Sequence, residues 1–287
     1  MTLEAGVIIA VIAAGALHAI WNTLVKAGSD RTATFALVML GAGLVWLPVG
    51  VILGFPAAAS WPYLAASCFI HLFYSLFLLS AYRHGDLSQV YPIARGSAPA
   101  LVALGAWSLA GEGLTGLELL GLAAVSGGII SLACLRGRSH GRMGVAYALL
   151  TGLTIGGYVT ADGMGVRAAG EPFAYIAWLF VIQGALLGAV GWWLRRETLY
   201  AALRASWVPG LCGGVIASLS YGIAIWAMTV APMAHVTALR ETSVLIATLI
   251  GVRLLGEPFG RHRVLAAVVV AGGAIVLQIG SGAPAQS

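Results

Sequence analysis

Two arginines stand inside apolar runs: Arg95 in "VYPIARGSAPALV" and Arg240 in "VTALRETSVLIAT", related by a shift of 145 residues. A guanidinium in such a setting can hold a carboxylate or a phosphate through its fork of N–H donors. Other polar side chains recur at helical spacing around them. His71, Tyr74, Ser75 and Tyr82 fall on one face of a helix, as do His18, Trp21 and Asn22, and Thr151, Thr154, Tyr158 and Asp162; Ser218 and Tyr221 follow later. Rings with polar tips suit an amphipathic solute, because the faces receive its apolar part and the hydroxyls its polar end. A zwitterion needs a cation for its carboxylate and rings or an acid for its ammonium group. The candidate set for such a cavity is His18, Trp21, Asn22, His71, Tyr74, Tyr82, Tyr91, Arg95, Tyr158, Tyr221, Arg240 and Glu241.

Each of these residues also has a plainer reading. An arginine about 8–10 Å inside a membrane helix can snorkel to the headgroups, at 1.5 Å of rise per residue. It can also bond free backbone carbonyls, and Pro99 withholds the N–H that would otherwise satisfy the carbonyl of residue 95. Structural anchoring and contact with cargo both fit the arginines, and Glu241 can neutralise part of the charge of Arg240. Serines and threonines commonly bond between helices. Glu112 and Glu257 sit at tight turns and read as caps for the helices that follow. Trp61, Trp192 and Trp193 near run ends read as an interfacial belt.

The elements that must position these groups are apolar. Sixty per cent of the 287 residues are hydrophobic and 9% are charged, with a mean hydropathy of +0.95. A soluble domain of this size would need a far more charged surface. Stretches long enough to cross a hydrocarbon slab of about 30 Å recur ten times. They run over 5–26, 33–54, 62–82, 88–110, 115–135, 144–166, 173–194, 207–229, 235–255 and 264–281. The expectation is an all-α integral membrane protein with ten transmembrane helices and no soluble domain.

Several functions are set aside. The first run has no basic segment before it and does not read as a cleaved signal peptide. Cys68, Cys134 and Cys212 lie in or beside runs and read as small apolar residues. The pI near 9.4 reflects short basic loops rather than a nucleic-acid groove. No H-E-x-x-H, G-x-S-x-G or Walker pattern is present, so no catalytic residue, metal ligand or cofactor is expected, and the chain does not read as an enzyme.

Charge gives an orientation. Loops after odd-numbered runs, with the end of run nine, carry Lys26, Arg31, Arg83, Arg136, Arg138, Arg142, Arg195, Arg196, Arg204, Arg253, Arg261 and Arg263, whereas the other side has Arg167 alone. By the positive-inside rule the odd loops face the cytoplasm, which puts both termini on the outer, periplasmic side of an inner membrane.

The chain also repeats itself. Shifted by 145, Arg95 meets Arg240, Gly111-Glu112 meets Gly256-Glu257, and Gly127-Gly128 meets Gly272-Gly273 without a gap. Leu104, Leu109 and Leu120 meet Leu249, Leu254 and Leu265, and Ser75 meets Ser220. Five runs per half is an odd number, so the second half, 138–287, enters the membrane opposite to the first, 1–137. Inverted repeats of this kind enclose a site near the midplane.

These features resemble the drug/metabolite transporter superfamily and, more closely, its EamA-type exporters. The likeness rests on ten runs in two inverted halves, a Gly-Glu step after the fourth and ninth runs, and glycine-rich fifth and tenth runs, and it covers nearly the whole chain. The kind with both termini outside includes YddG-like exporters of aromatic and other amino acids. The resemblance implies a central cavity lined by helices 1, 3, 4, 6, 8 and 9, with 5 and 10 peripheral.

The expected function is therefore a secondary transporter exporting small amphipathic metabolites, amino acids foremost, by alternating access. Pro48, Pro92 and Pro99 are candidate flexing points, and Gly152/Gly156 and Gly184/Gly188 allow close helix approach. Its partners are a small-molecule substrate and the lipid bilayer, with no nucleic acid, and a monomer is compatible with the sequence. Two rivals stand beside it. A lipophilic-cation exporter needs a membrane-embedded acid, for which only Asp162 and Glu241 qualify. An exchanger of phosphorylated metabolites would use both arginines as anchors.

Overall fold

The computed structural model describes residues 5–27, 30–85, 87–134, 142–205, 207–241, 243 and 261–280. They form α1 (Ala5–Ala27), α2 (Arg31–Leu53), α3 (Trp61–His84), α4 (Leu87–Ala110), α5 (Gly116–Cys134), α6 (Arg142–Arg167), α7 (Pro172–Ala205), α8 (Val208–Ala227), α9 (Met233–Arg240) and α10 (Arg261–Gly280), with one 3-10 turn at Ala58–Ser60. There is no strand among the described residues. Arg253, Leu249, Leu254, Gly256-Glu257 and the boundary between 137 and 138 lie outside them.

Local chemistry fixes several helix ends. Asp30 caps α2 by accepting from the backbone N–H groups of Thr32 (2.9 Å) and Ala33 (3.1 Å). Thr115 and Glu118 form a reciprocal capping box at the start of α5: the Thr115 N–H donates to Glu118 Oε2 at 2.6 Å, and the Glu118 N–H donates to Thr115 Oγ1 at 3.3 Å. Gly111 turns the chain between α4 and α5 with φ +69°, a conformation that favours glycine.

Seven described helical stretches are long and apolar enough to cross a membrane. They lie in α1, α2, α3 with its preceding 3-10 turn, α5, α6, α7 and α8. The shortfall from ten has physical reasons. Gln89, Tyr91, Arg95 and Ser97 dilute α4, α9 is described over eight residues, and the apolar part of α10, Val264–Gly280, is shorter. One run is longer than expected. The seventh does not stop at 194 but continues to Ala205 through a kink at Arg195 (φ −141°, ψ 38°).

The outside of the bundle is apolar. Val51, Ile52, Phe55, Trp107, Leu109, Val268 and Ile279 are all more than 60% exposed. Helices satisfy their own backbone groups, so such faces are stable against lipid and costly against water. This is a multi-pass helical membrane protein.

Inside the bundle, α2 lies along α7, α3 along α6, α5 along α10 and α8 along α1 and α2; α4 packs on α5 and α6, and α9 on α4 and α1. Several crossings need glycine, among them α2–α7 and α5–α10. A Cβ on Gly184 of α7 would lie 2.7 Å from the Met39 carbonyl oxygen and 3.0 Å from the Gly43 Cα of α2. A Cβ on Gly121 of α5 would meet the Gly273 carbonyl of α10 at 2.7 Å. Backbones approach there as in small-residue membrane interfaces.

Candidate functional site

The two arginines have different fates. Arg95 of α4 grips Glu241, just beyond α9, through two bonds: Nε to Oε2 at 3.1 Å and Nη2 to Oε1 at 2.5 Å. Both side chains are buried, which makes this a desolvated bidentate pair. Tyr91, one turn earlier on α4, lies within electrostatic reach of both.

Arg240 has no carboxylate in contact among the described residues. Its Nη2 lies 3.1 Å from His18 Nδ1 on α1, and its guanidinium carbon stands 5.0 Å from the centroid of the Tyr221 ring on α8. Its Nε is buried without a hydrogen-bond partner. Trp21 Nε1 also donates to His18 Nδ1, at 3.2 Å. Arginine and tryptophan can only donate, so that nitrogen is the acceptor and His18 is the neutral tautomer with its proton on Nε2.

Aromatic rings fill the centre. The His71 ring of α3 lies 3.8 Å from that of Tyr158 on α6, with Tyr74 at 6.1 Å and Tyr221 at 6.2 Å. His71 Nδ1 is held 2.9 Å from the Ser67 carbonyl and 3.0 Å from the Gln183 amide of α7.

Beside these rings Asp162 of α6 is fully buried. The Tyr175 hydroxyl of α7 donates to its Oδ1 at 3.0 Å, and the Tyr221 hydroxyl donates to its Oδ2 at 2.5 Å. Ser67 of α3 lies close to the same carboxylate, with its hydroxyl 3.4 Å from His71 Nδ1. Three elements converge on one acid, and no arginine, lysine or histidine pairs with it among the described residues.

A second polar knot sits near the α4–α5 turn. Glu112 was expected to cap the helix that follows it; instead it joins distant parts of the chain. Its Oε2 accepts the backbone N–H of Met233, the first residue of α9, at 2.9 Å, and its Oε1 pairs with Arg167 of α6 at 2.6 Å. Arg167 in turn donates to the carbonyls of Met228 (2.7 Å) and Ala231 (3.0 Å) between α8 and α9. Close by in the chain, His235 of α9 lies 3.0 Å from Glu118 of α5.

The structure thus brings together His18, Trp21, His71, Tyr74, Tyr91, Arg95, Tyr158, Tyr221, Arg240 and Glu241. Asn22 and Tyr82 make other contacts besides. Asn22 spends its amide on its own helix, donating to the His18 carbonyl at 2.8 Å, and Tyr82 packs in a separate small cluster with Ala81, Val90, Ala94 and Ala148. Helix α4 continues through buried Pro92 and Pro99, and α2 through exposed Pro48. The sequence reading left Ser67, Tyr175 and Gln183 out of the candidate set, and Asp162 too, although its place four residues after Tyr158 put it on the same face. The central groups pack in direct contact. A cavity of about 300 Å³ lies elsewhere, between α5 and α10, lined by Gly127, Gly128, Ser131, His262 and Leu265 among others.

Residues 142–279, which hold Tyr158, Asp162, Tyr221, Arg240 and Glu241, match the model of the EamA-like transporter family. An EamA-like transporter domain is present. The EamA-like family is one of transporters rather than enzymes, and it points to a membrane transporter of small solutes. No curated protein sequence matches the chain. Among 28 solved chains that do match, one described as "Crystal structure of protein" is 19% identical with a TM-score of 0.74, and the match covers 95% of each chain. At that identity the likeness speaks for the fold alone, but it extends well beyond the EamA-like segment into the first half.

Proposed function

We propose that the chain is a secondary transporter that exports small amphipathic metabolites, amino acids foremost, across the inner membrane by alternating access. The observation that carries this reading is Arg240: a buried guanidinium with an unpartnered Nε, set against Tyr221 and next to the His71–Tyr158 rings. A lone buried cation is costly, and a carboxylate arriving with cargo would offset that cost. The rings offer faces to the rest of the solute. Arg95 serves as scaffold, because Glu241 occupies its fork; the two-arginine phosphate clamp therefore loses one of its arms. In this reading His18, Trp21, His71, Tyr74, Tyr91, Tyr158, Tyr221 and Arg240 line the route of cargo, and the contacts among them represent a closed state.

The architecture proposed is ten transmembrane helices in two inverted five-helix repeats, 1–137 and 138–287, around that site. Support comes from the packing. Exchanging each helix with the one five places along leaves the pairs α2–α7, α5–α10 and α4–α9 in place, and turns α3–α6 into α8–α1. Both termini are proposed to face the periplasm. Arg167, the one basic residue that the charge pattern puts outside, has a specific use there in the Glu112 knot.

The reading is tested by uptake of radiolabelled amino acids, presented one at a time, into proteoliposomes holding the purified full chain. Saturable uptake above empty liposomes, lost in R240Q, is expected. No uptake of any amino acid, together with uptake of a lipophilic cation or an organic phosphate, would overturn it.

A further inference from the structure

A buried acidic side chain and a buried basic one lie near the centre of the bundle, and neither has a group of opposite charge type in contact among the described residues. Arg240 has a neutral imidazole nitrogen and a ring face. Asp162 has the hydroxyls of Tyr175 and Tyr221, with Ser67 close by. Both meet the same side chain: the Tyr221 ring lies beside the Arg240 guanidinium at 5.0 Å, and the Tyr221 hydroxyl donates to Asp162 at 2.5 Å. Glu241 is adjacent to Arg240 in sequence, but its two oxygens are committed to Arg95.

We propose that Asp162 and Arg240 together form a receptor for a zwitterion, Asp162 taking the ammonium group and Arg240 the carboxylate of an α-amino acid, with Tyr221 as the internal stand-in that cargo displaces. The inference rests on the amino-acid reading above and adds a second contact to it. The tyrosine satisfies each charge incompletely. Its hydroxyl gives the carboxylate one donor where an ammonium group would bring three and a full charge, and its π face gives the guanidinium a weak acceptor where a carboxylate would make paired bonds. Exchanging Tyr221 for a zwitterion therefore improves both ends at once. A solute with only one charge repairs only one end and leaves the other buried charge as it was. That asymmetry makes the site selective for molecules carrying both groups.

Calorimetric titration of the purified full chain in detergent tests the pair, with alanine and phenylalanine as zwitterions, phenylethylamine as the amine alone and 3-phenylpropanoate as the carboxylate alone. Wild type is expected to bind a zwitterion at least about tenfold more tightly than either single-ended probe, the factor set by 1.4 kcal/mol of a charged hydrogen bond. D162N should lower zwitterion affinity to the level of 3-phenylpropanoate and leave that probe unchanged. R240Q should lower it to the level of phenylethylamine. Tyr221→Phe, which frees Asp162 of one competing donor, should tighten amine-bearing probes severalfold. Wild-type protein that binds a zwitterion no better than one of the single-ended probes overturns the proposal while leaving an amphipathic cargo in place. A D162N variant that keeps the full preference for phenylalanine over 3-phenylpropanoate overturns it equally. Failure of every amino acid to bind overturns the amino-acid reading itself and the receptor with it. The wild-type probe series decides even if a variant fails to fold.

Discussion

Arg95 and Glu241 stand 146 positions apart in the chain and close on each other through two hydrogen bonds in the buried centre of the bundle. Arg95 aligns with Arg240 across the internal shift, yet it is the neighbour of that counterpart, Glu241, that it holds. The bond joins α4 to the end of α9, so it fixes how these two helices meet. It also settles which arginine is free: one guanidinium is consumed in scaffold, and the other keeps an open donor.

Removing one partner of this pair should therefore be more damaging than removing both. Glu241→Gln leaves the Arg95 charge buried without its counter-ion, and breaking a buried pair this way costs about 3–5 kcal/mol. Replacing both with methionine removes the desolvation cost along with the attraction. Thermal unfolding in detergent should rank wild type and the double variant R95M/E241M well above E241Q. An E241Q protein as stable as wild type would contradict the scaffold role.

Glu112 and Arg167 tie the α4–α5 turn to the end of α6 and the start of α9, and their removal should loosen one end of the bundle. The native Cys68 on α3, buried at 4% exposure, is a reporter of that opening. In a background lacking the other two cysteines (C134S and C212S), R167Q should raise the rate of maleimide labelling of Cys68 severalfold. An unchanged rate would mean that the knot does not restrain access to the core.

Much of this fold is legible in the sequence because membrane helices announce themselves through length and apolarity. The run at 62–82 became Trp61–His84, and the run at 144–166 became Arg142–Arg167. Periodicity also put His71 and Tyr74 on one face of α3, the face that meets Tyr158 of α6. Partnership was not legible. Glu112 finds Met233 121 positions on, and Asp162 finds Tyr221 59 positions on. No helical period encodes a contact between different helices. Asp162 was visible on its stripe but stood outside the candidate set, whereas the hydroxyls reaching it from α7 and α8 are what mark it. Asn22 shares a face with His18, and its amide bonds the His18 carbonyl one turn away, a contact that residue spacing alone does not announce.

The crossing of α2 and α7 should tolerate no side chain at Gly184. A Cβ there already falls 2.7 Å from a backbone oxygen, so leucine must push the two helices apart along their contact. Overpacking of this kind costs about 1–3 kcal/mol, and backbone neighbours yield less readily than side chains. Gly184→Leu should lower the unfolding temperature clearly, whereas Gly127→Ala, with nothing within 4 Å of the added carbon, should change it little.

Trp21 and Arg240 both aim donors at Nδ1 of His18, so the histidine serves as a neutral acceptor that holds the free arginine in place. His18→Leu removes that acceptor and leaves a buried guanidinium with one fewer partner, a loss of about 1–3 kcal/mol. His18→Gln offers an amide oxygen at a similar reach and should recover part of it. The order in thermal unfolding should be wild type, then H18Q, then H18L. If His18 acted instead as a cation, H18Q would behave like H18L, because an amide cannot replace a charge. Recovery in H18Q therefore distinguishes an acceptor from a charged group at this position.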